Sequence, residues 1–335
     1  MQGTLRSLRI LHVGATDITN GMSGEKYLVD AWRASGHAVD YLDGSRRNRL
    51  APRIAAADDF DAFFLQRGAW FPLPLVRVVT RPKIFWDTEL PDSLPDRLHL
   101  IRSGLFDRIL FWSKGIMNHV IDKGWAEPSR CGVFIGGFDH RLHRPIEESI
   151  KDIDVLFVGA HTARRERIIA DASKHLRLVF QSAFGEDMTR LYSRAKIILN
   201  VHASGTATTE ARVFEVLGCR GFLLSERLSE ENPFDSRHLV EFKTVKELVD
   251  KARYYLAHPV EREQIAAEGH RAALAGHTYQ HRADELARLM TQLCGEDHAT
   301  KRPPVKIDLG FRAYGAYELA RWTFHRVRRL GQAIR

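Results

Sequence analysis

The chain has 335 residues, 44% hydrophobic and 27% charged, with a net charge of +8 at neutral pH. That length suits two domains of ordinary size plus an appendage, and that composition excludes both a disordered chain and a membrane bundle. Residues 301–335 carry nine Lys or Arg against Asp308 and Glu318, a net +7, so the high isoelectric point belongs to the tail and the body is close to neutral.

No apolar run reaches the ~20 residues of a membrane-spanning helix. The first apolar run, LRILHVG, is too short for a signal sequence and leads into turn residues, so a cytoplasmic protein is expected. Cys131, Cys219 and Cys294 are odd in number, widely spaced and without a Cys-x-x-Cys pair, which argues against a disulfide framework and a structural zinc site.

In chain order, LRILHVG, HAVDYL, DAFFLQ, KIFWD, RILFWS and CGVFIGG alternate with amphipathic stretches at 22–35, 49–58, 72–80, 96–104 and 114–123. Strands alternating with helices predict right-handed crossovers and a parallel sheet covered on both faces. The polar segment 138–154 breaks the rhythm, and alternation then restarts with DVLFVG, LRLVFQ, KIILNVH, GFLLSE and HLVEFK. The helices between them are read at 163–173, 186–194, 209–217 and 244–257, with two long closing helices at 259–274 and 278–294. The expected fold class is α/β: two doubly wound, Rossmann-like domains at 1–140 and 154–296, a linker at 141–153 and a basic tail at 297–335. Ligands in such sheets bind beyond the carboxyl ends of the strands, so the loops that follow strands are where chemistry is expected.

Four of those loops carry suitable residues. After LRILHVG, Gly21 and Gly24 precede a helix, either as a plain turn or to let a ligand approach helix-start amides; their spacing is not the dinucleotide fingerprint. After KIFWD stand Asp87 and Glu89, placed to accept a proton or a hydroxyl, or to cap the next helix. After DVLFVG, Arg164 and Arg165 open a helix, where they suit a diphosphate or an ion-paired face. After KIILNVH, Ser204, Gly205, Thr208 and Thr209 lead into a helix carrying Glu210, Arg212 and Glu215. Val213, Phe214, Val216 and Leu217 gather on one side of that helix, with Arg212 and Glu215 directed away from them, so Glu215 is either plain solvent surface or a carboxylate that accepts the ribose hydroxyls of a nucleotide.

The stretch EARVFEVLGCRGFLLSE, with the segment from EFKTVKELVDKARYYLAHP to the helix ending DELARL, resembles the carboxyl-terminal domain of the spore-maturation (CgeB-like) glycosyltransferases. Those belong to the broad GT-B group related to family-four-type retaining enzymes. FIGGFDHRLHRP also resembles that group's interdomain segment, and the likeness covers about residues 130–290. It implies a GT-B fold, a nucleotide-sugar donor bound mainly by the second domain, a glycan, lipid-linked or protein acceptor held mainly by the first, and no cofactor or metal. Carried over, Glu215 matches the ribose-binding carboxylate and Arg212 the arginine of an Arg-x-Phe-Glu variant. Arg164 or Arg165 falls where basic residues meet the diphosphate, and Gly21 to Gly24 matches the glycine loop that closes on the donor.

Two features depart from the group: Ala207 stands where many relatives have the first glutamate of Glu-x7-Glu, and Asp87-Thr-Glu89 stands where a histidine is often found. The resemblance implies a retaining hexosyl transfer, with Arg164, Arg165 and the 204–209 loop stabilising the leaving diphosphate and Asp87 or Glu89 orienting the acceptor. A nucleotide-sugar epimerase of the same fold and a non-catalytic nucleotide-sugar-binding module stay open as alternatives. A nucleic-acid partner is not expected, because the body has no platform of interleaved aromatic and basic residues. Residues 312–335 read as an amphipathic helix with a basic face, suited either to an anionic membrane surface on the cytoplasmic side or to docking on the first domain.

Overall fold

In the computed structural model, residues 6–15, 17–18, 23–44, 50–51, 54, 60–69, 71–89, 91–295, 313–314 and 316–317 are described. They fall into two units, one running to Phe134 and resuming at Ala283, the other spanning Ile135–Arg282. Gly21, most of the helix read at 49–58 and nearly all of the 312–335 helix lie outside the described residues. Among the described residues no helix is long and apolar enough to cross a membrane.

The first unit holds six parallel strands: β1 (Arg9–Gly14), β2 (Ala38–Asp43), β3 (Ala62–Gln66), β4 (Lys83–Asp87), β5 (Arg108–Phe111) and β6 (Cys131–Val133). Their order is β2-β1-β3-β4-β5-β6, so the winding reverses between β1 and β3. Every residue of β3, AFFLQ, is buried, as a parallel strand covered on both faces requires. Helix α1 (Gly24–Ala34) begins where the Ser23 side chain accepts a hydrogen bond from the Lys26 amide, and it buries Tyr27, Leu28, Ala31 and Trp32. The stretches read as helices at 72–80 and 96–104 are shorter, α2 (Leu73–Arg77) and α3 (Leu98–Ile101). Prolines account for this: Pro72 and Pro74 sit at the start of α2, and Pro91 and Pro95 hold the segment before α3 in a 3-10 turn. Helix α4 (Lys114–Asp122) follows β5 with Ser113 as its cap.

The second unit holds β7 (Ile153–Val158), β8 (Leu178–Gln181), β9 (Ala195–Asn200), β10 (Leu223–Glu226) and β11 (Val240–Phe242), in the order β11-β10-β9-β7-β8. Here the reversal falls between β7 and β9. Side chains alternate across the sheet: Val155 and Phe157 pack on one face with Ile197 and Leu199, while Leu156 and Val158 pack on the other with Ile198. The helices are α5 (Ala163–Ser173), α6 (Gly185–Arg194), α7 (Ala211–Gly218), α8 (Val245–Ala257) and α9 (Pro259–Gly276). The apolar side of α7, with Val213, Phe214, Val216 and Leu217 all fully buried, joins the Leu156 face as the sequence pattern predicts.

Both unit boundaries differ from those read in the sequence. Residues 135–152, read largely as a linker, are packed into the second unit: the Phe138 amide donates to His277 O at 3.2 Å, and the Tyr279 amide donates to Phe138 O at 2.9 Å. At the other end, the chain leaves the second unit inside helix α10 (Tyr279–Gly295), at Ala283 rather than near 296. Ala283, Leu286, Ala287, Met290 and Leu293 form one buried stripe with no break in composition, so nothing in the pattern marks the crossing. In the first unit the Trp32 indole donates to Ala283 O at 3.1 Å.

Candidate functional site

The polar residues of the second unit gather at the carboxyl ends of β7, β9 and β10, beside the reversal of strand order where open α/β sheets bind ligands. At its centre is Glu210, immediately before α7, whose side chain is 14% exposed. Arg165 Nη2 donates to Glu210 Oε2 at 3.1 Å, and Arg212 Nη1 donates to the same oxygen at 3.3 Å. Burial alone would raise the Glu210 pKa, but His202, Arg212 and Arg165 hold it at about 2.

Arg212 is fixed by two further bonds, Nε to Val158 O at 2.9 Å and Nη1 to Asn200 Oδ1 at 2.6 Å, and its guanidinium lies 4.8 Å from the Phe157 ring centre. It passes over Gly159, where an added Cβ would sit 2.6 Å from Arg212 Nη2. Arg164 forms a bidentate pair with Glu226, at 2.8 and 2.5 Å, and also donates to His202 O at 2.9 Å. The Glu226 carboxylate in turn accepts from the His202 amide at 2.7 Å.

This arrangement corrects several expectations. Arg165 is 5% exposed, with Nε on Val201 O, Nη1 on Ala160 O and Nη2 on Glu210, so it braces the strand ends and does not face a diphosphate. Thr208 and Thr209 are buried, their hydroxyls paired with His202 and Ser229. Glu210 is committed to the two arginines. Arg212 is also held inward, although the helical pattern directs it away from the core, because Val158 O and Asn200 lie within reach. In that loop Ser204 is half-buried, and Gly205, Thr206 and Ala207 are exposed.

Glu215 is different. It is half-buried on the next turn of α7, and among the described residues nothing hydrogen-bonds its carboxylate. Buried His143 lies close enough to feel it: burial lowers the His143 pKa, and the Glu215 charge opposes that shift. A partly exposed carboxylate with no internal partner, placed beyond a helix start at the strand reversal, can accept a pair of hydroxyls from a bound molecule.

The first unit has its own cluster at the corresponding reversal. Glu25, in the first turn of α1, is fully buried and ion-paired with Arg67 Nε at 2.6 Å. Burial would raise the Glu25 pKa, but the Arg67 guanidinium holds it below the usual carboxylate range. Arg67 follows β3 with a left-handed backbone, φ 71°, and its Nη1 donates to Glu89 Oε1 at 3.1 Å. Among the described residues neither ring nitrogen of buried His12 makes a well-formed hydrogen bond; Gln66 is its polar neighbour, and burial lowers the His12 pKa to about 4. Gly24 is the half-buried first residue of α1.

Asp87 does not stand open beside Glu89. Its side chain is 0% exposed, its Oδ1 lies 2.5 Å from Arg97 Nε, and it also accepts from the Glu89 amide at 3.3 Å. The expectation that it orients an acceptor is thereby corrected: Asp87 anchors the turn that carries Glu89. Sequence reasoning passed over Gln66, Arg67, Asn200 and Glu226. Each ends, or directly follows, an apolar strand, and a polar residue in that position is the signal that could have found them.

Residues 139–288 match the family described as "Glycosyl transferase-like". No curated protein matches the chain. Among solved structures, Anabaena Alr3699/HepE in complex with UDP is similar at a TM-score of 0.63 and 11% identity, over 85% of this chain and 100% of that one. A glycosyltransferase from Rickettsia africae ESF-5 is similar at a TM-score of 0.63 and 9% identity, over 87% and 100%. An alpha-glucosyltransferase in complex with UDP-glucose and DNA containing an abasic site gives a TM-score of 0.61 at 11% identity, over 85% and 99%. These structures share the chain's fold, two parallel-sheet α/β units of the GT-B kind, and residues 139–288 are similar to the glycosyl transferase-like family.

Proposed function

We propose that the chain is a glycosyltransferase that takes a nucleotide sugar and passes the sugar to a glycan or lipid-linked acceptor. The observation that carries this reading is Glu215: a carboxylate left open on α7, next to a loop of small residues at the strand reversal, in a segment similar to the glycosyl transferase-like family. We further propose a uridine diphosphate sugar as donor, since two of the similar proteins, Anabaena Alr3699/HepE and the alpha-glucosyltransferase, are described with UDP or UDP-glucose.

On this reading the nucleotide's ribose hydroxyls bind Glu215. The diphosphate lies against the 204–207 loop and the start of α7, where backbone amides and the helix dipole favour negative charge. As the glycosidic bond to the diphosphate breaks, the sugar becomes oxocarbenium-like and the diphosphate gains charge, so groups that favour an anion there lower the barrier. The Arg165–Glu210–Arg212 cluster holds the strand ends and α7 in place. The CgeB-like assignment, a hexosyl substrate, retention at the sugar carbon, independence of metal, and a peripheral membrane location through 312–335 belong to the same proposal and follow the sequence resemblance.

The test is a thermal-stability titration of wild type and Glu215→Ala with UDP-, GDP-, ADP- and dTDP-sugars. A ligand at ~100 times its dissociation constant adds about 2.7 kcal/mol to the folded state, ample to detect. A shift with UDP-sugars that disappears in Glu215→Ala is expected, and no shift with any nucleotide sugar overturns the reading. Binding without transfer or hydrolysis would instead identify a nucleotide-sugar-binding module.

A further inference from the structure

Arg67 and Glu89 form a prepared pair in the first unit whose outer edges are uncommitted. Arg67 uses Nε on Glu25 and Nη1 on Glu89, and among the described residues its Nη2 has no hydrogen-bond partner. Glu89 uses one carboxylate oxygen on Arg67, and the other has no partner among the described residues. The two side chains are 33% and 27% exposed, so both are reachable.

What stands behind them is costly and rigid. Glu25 is a fully buried carboxylate, and its Oε2, Gln66 Oε1 and Thr88 Oγ1 are all buried without a hydrogen-bond partner among the described residues. Arg67 and Gly68 both have left-handed backbones, φ 71° and 74°, a conformation a non-glycine residue keeps only where its contacts enforce it. The Glu89 turn is anchored by its amide on Asp87, which is locked to Arg97. Strain, buried charge and unsatisfied polar atoms concentrated at a strand reversal mark a binding position rather than a stabilising one.

The chemistry on offer is a guanidinium N–H donor beside a carboxylate acceptor. Two neighbouring hydroxyls of a sugar match it, one accepting from Arg67 and the other donating to Glu89. The charges of Glu25, Arg67 and Glu89 sum to −1, so a phosphate or carboxylate placed there meets net repulsion. We propose that Arg67, with Glu89, recognises a neutral pair of adjacent hydroxyls on the acceptor, which makes Arg67 a specificity-determining residue against anionic acceptors. The word acceptor rests on the transferase reading above; the hydroxyl clamp itself does not.

The experiment is saturation-transfer NMR on the full chain with p-nitrophenyl α-glucoside, α-galactoside and α-mannoside against p-nitrophenyl β-glucuronide, with UDP binding followed in the same samples. At least one neutral glycoside is expected to bind wild type, with the glucuronide bound roughly tenfold more weakly or not at all. Arg67→Met should weaken the neutral glycoside by about tenfold and narrow the gap to the glucuronide. Glu89→Gln keeps the packing and removes the carboxylate, so it should weaken the neutral glycoside even if Arg67→Met fails to fold. UDP bound, with no neutral glycoside bound or with the glucuronide bound as tightly, overturns the clamp alone. Absence of UDP binding in wild type overturns the uridine donor, and absence of GDP, ADP and dTDP binding as well overturns the transferase reading instead.

Discussion

Arg165 Nη2 lies 3.1 Å from Glu210 Oε2, with the two side chains 6% and 14% exposed, and a second arginine, Arg212, shares the same oxygen. Removing one member of a buried pair leaves an uncompensated charge, which typically costs about 3–5 kcal/mol. Glu210→Gln should therefore lower the urea midpoint strongly, because it leaves Arg165 and Arg212 facing each other. Arg165→Met with Glu210→Gln together should cost less than the sum of the two alone, and additive losses would mean that the pair is not coupled.

The same carboxylate sets an acid limit. A group whose folded pKa is depressed contributes stability above its unfolded pKa and loses it as pH falls through the folded value. For Glu210 that window runs from about 4.5 down to about 2. At 1.36 kcal/mol per pKa unit the loss is about 3 kcal/mol. Urea unfolding at a series of pH values should show this slope in wild type and its absence in Glu210→Gln; equal slopes would contradict the assignment.

His12 acts over a higher range. Burial lowers its pKa from 6.5 to about 4, so the folded state holds the neutral ring while the unfolded chain takes a proton. Its contribution is complete above pH 6.5 and is lost as pH falls toward 4, again about 3 kcal/mol by the same conversion. His12→Gln should flatten the unfolding free energy between those pH values relative to wild type.

Gly159→Ala tests the link between packing and site. Its Cβ would meet Arg212 Nη2 at 2.6 Å and the Phe157 ring at 3.2 Å, and Arg212 is pinned by bonds to Val158 O, Asn200 and Glu210. Overpacking of this kind costs about 1–3 kcal/mol. The displaced guanidinium should also reduce any stabilisation by UDP-sugars while the far-ultraviolet circular dichroism stays that of wild type. A variant that binds as well as wild type would show that Arg212 placement does not matter to the site.

Glu215→Gln should do the opposite. With no hydrogen bond to lose among the described residues, its change in stability should stay within about 0.5 kcal/mol in the absence of ligand. A larger loss on urea unfolding would make Glu215 a structural residue.

The strands were legible because period-two burial and short apolar runs are local properties: DVLFVG and KIILNVH become β7 and β9 almost residue for residue. The direction of Arg165 was not legible. Its partners Val201 O and Glu210 lie 36 and 45 residues away, and adjacent arginines at a helix start look the same whether they face a ligand or a strand end. Asp87 misled for the same reason, since Arg97 reaches back to it from beyond a proline-rich turn. Glu215 is half-buried, as its place on α7 away from the apolar side predicts.

The return of the chain to the first unit inside α10 has a consequence for synthesis. The second unit is one uninterrupted stretch, Ile135–Arg282, whereas the first is split, and its Trp32 waits 251 residues for the carbonyl of Ala283. On the ribosome the later-made half therefore closes before the earlier-made half can finish. Until Ala283 emerges, the Ser35–Asp284 and Cys294–Asp61 bonds of the first unit cannot form. Nascent chains stalled before α10 would thus carry a finished second unit behind an incomplete first one, reversing the amino-terminal-first order in which multidomain chains usually fold.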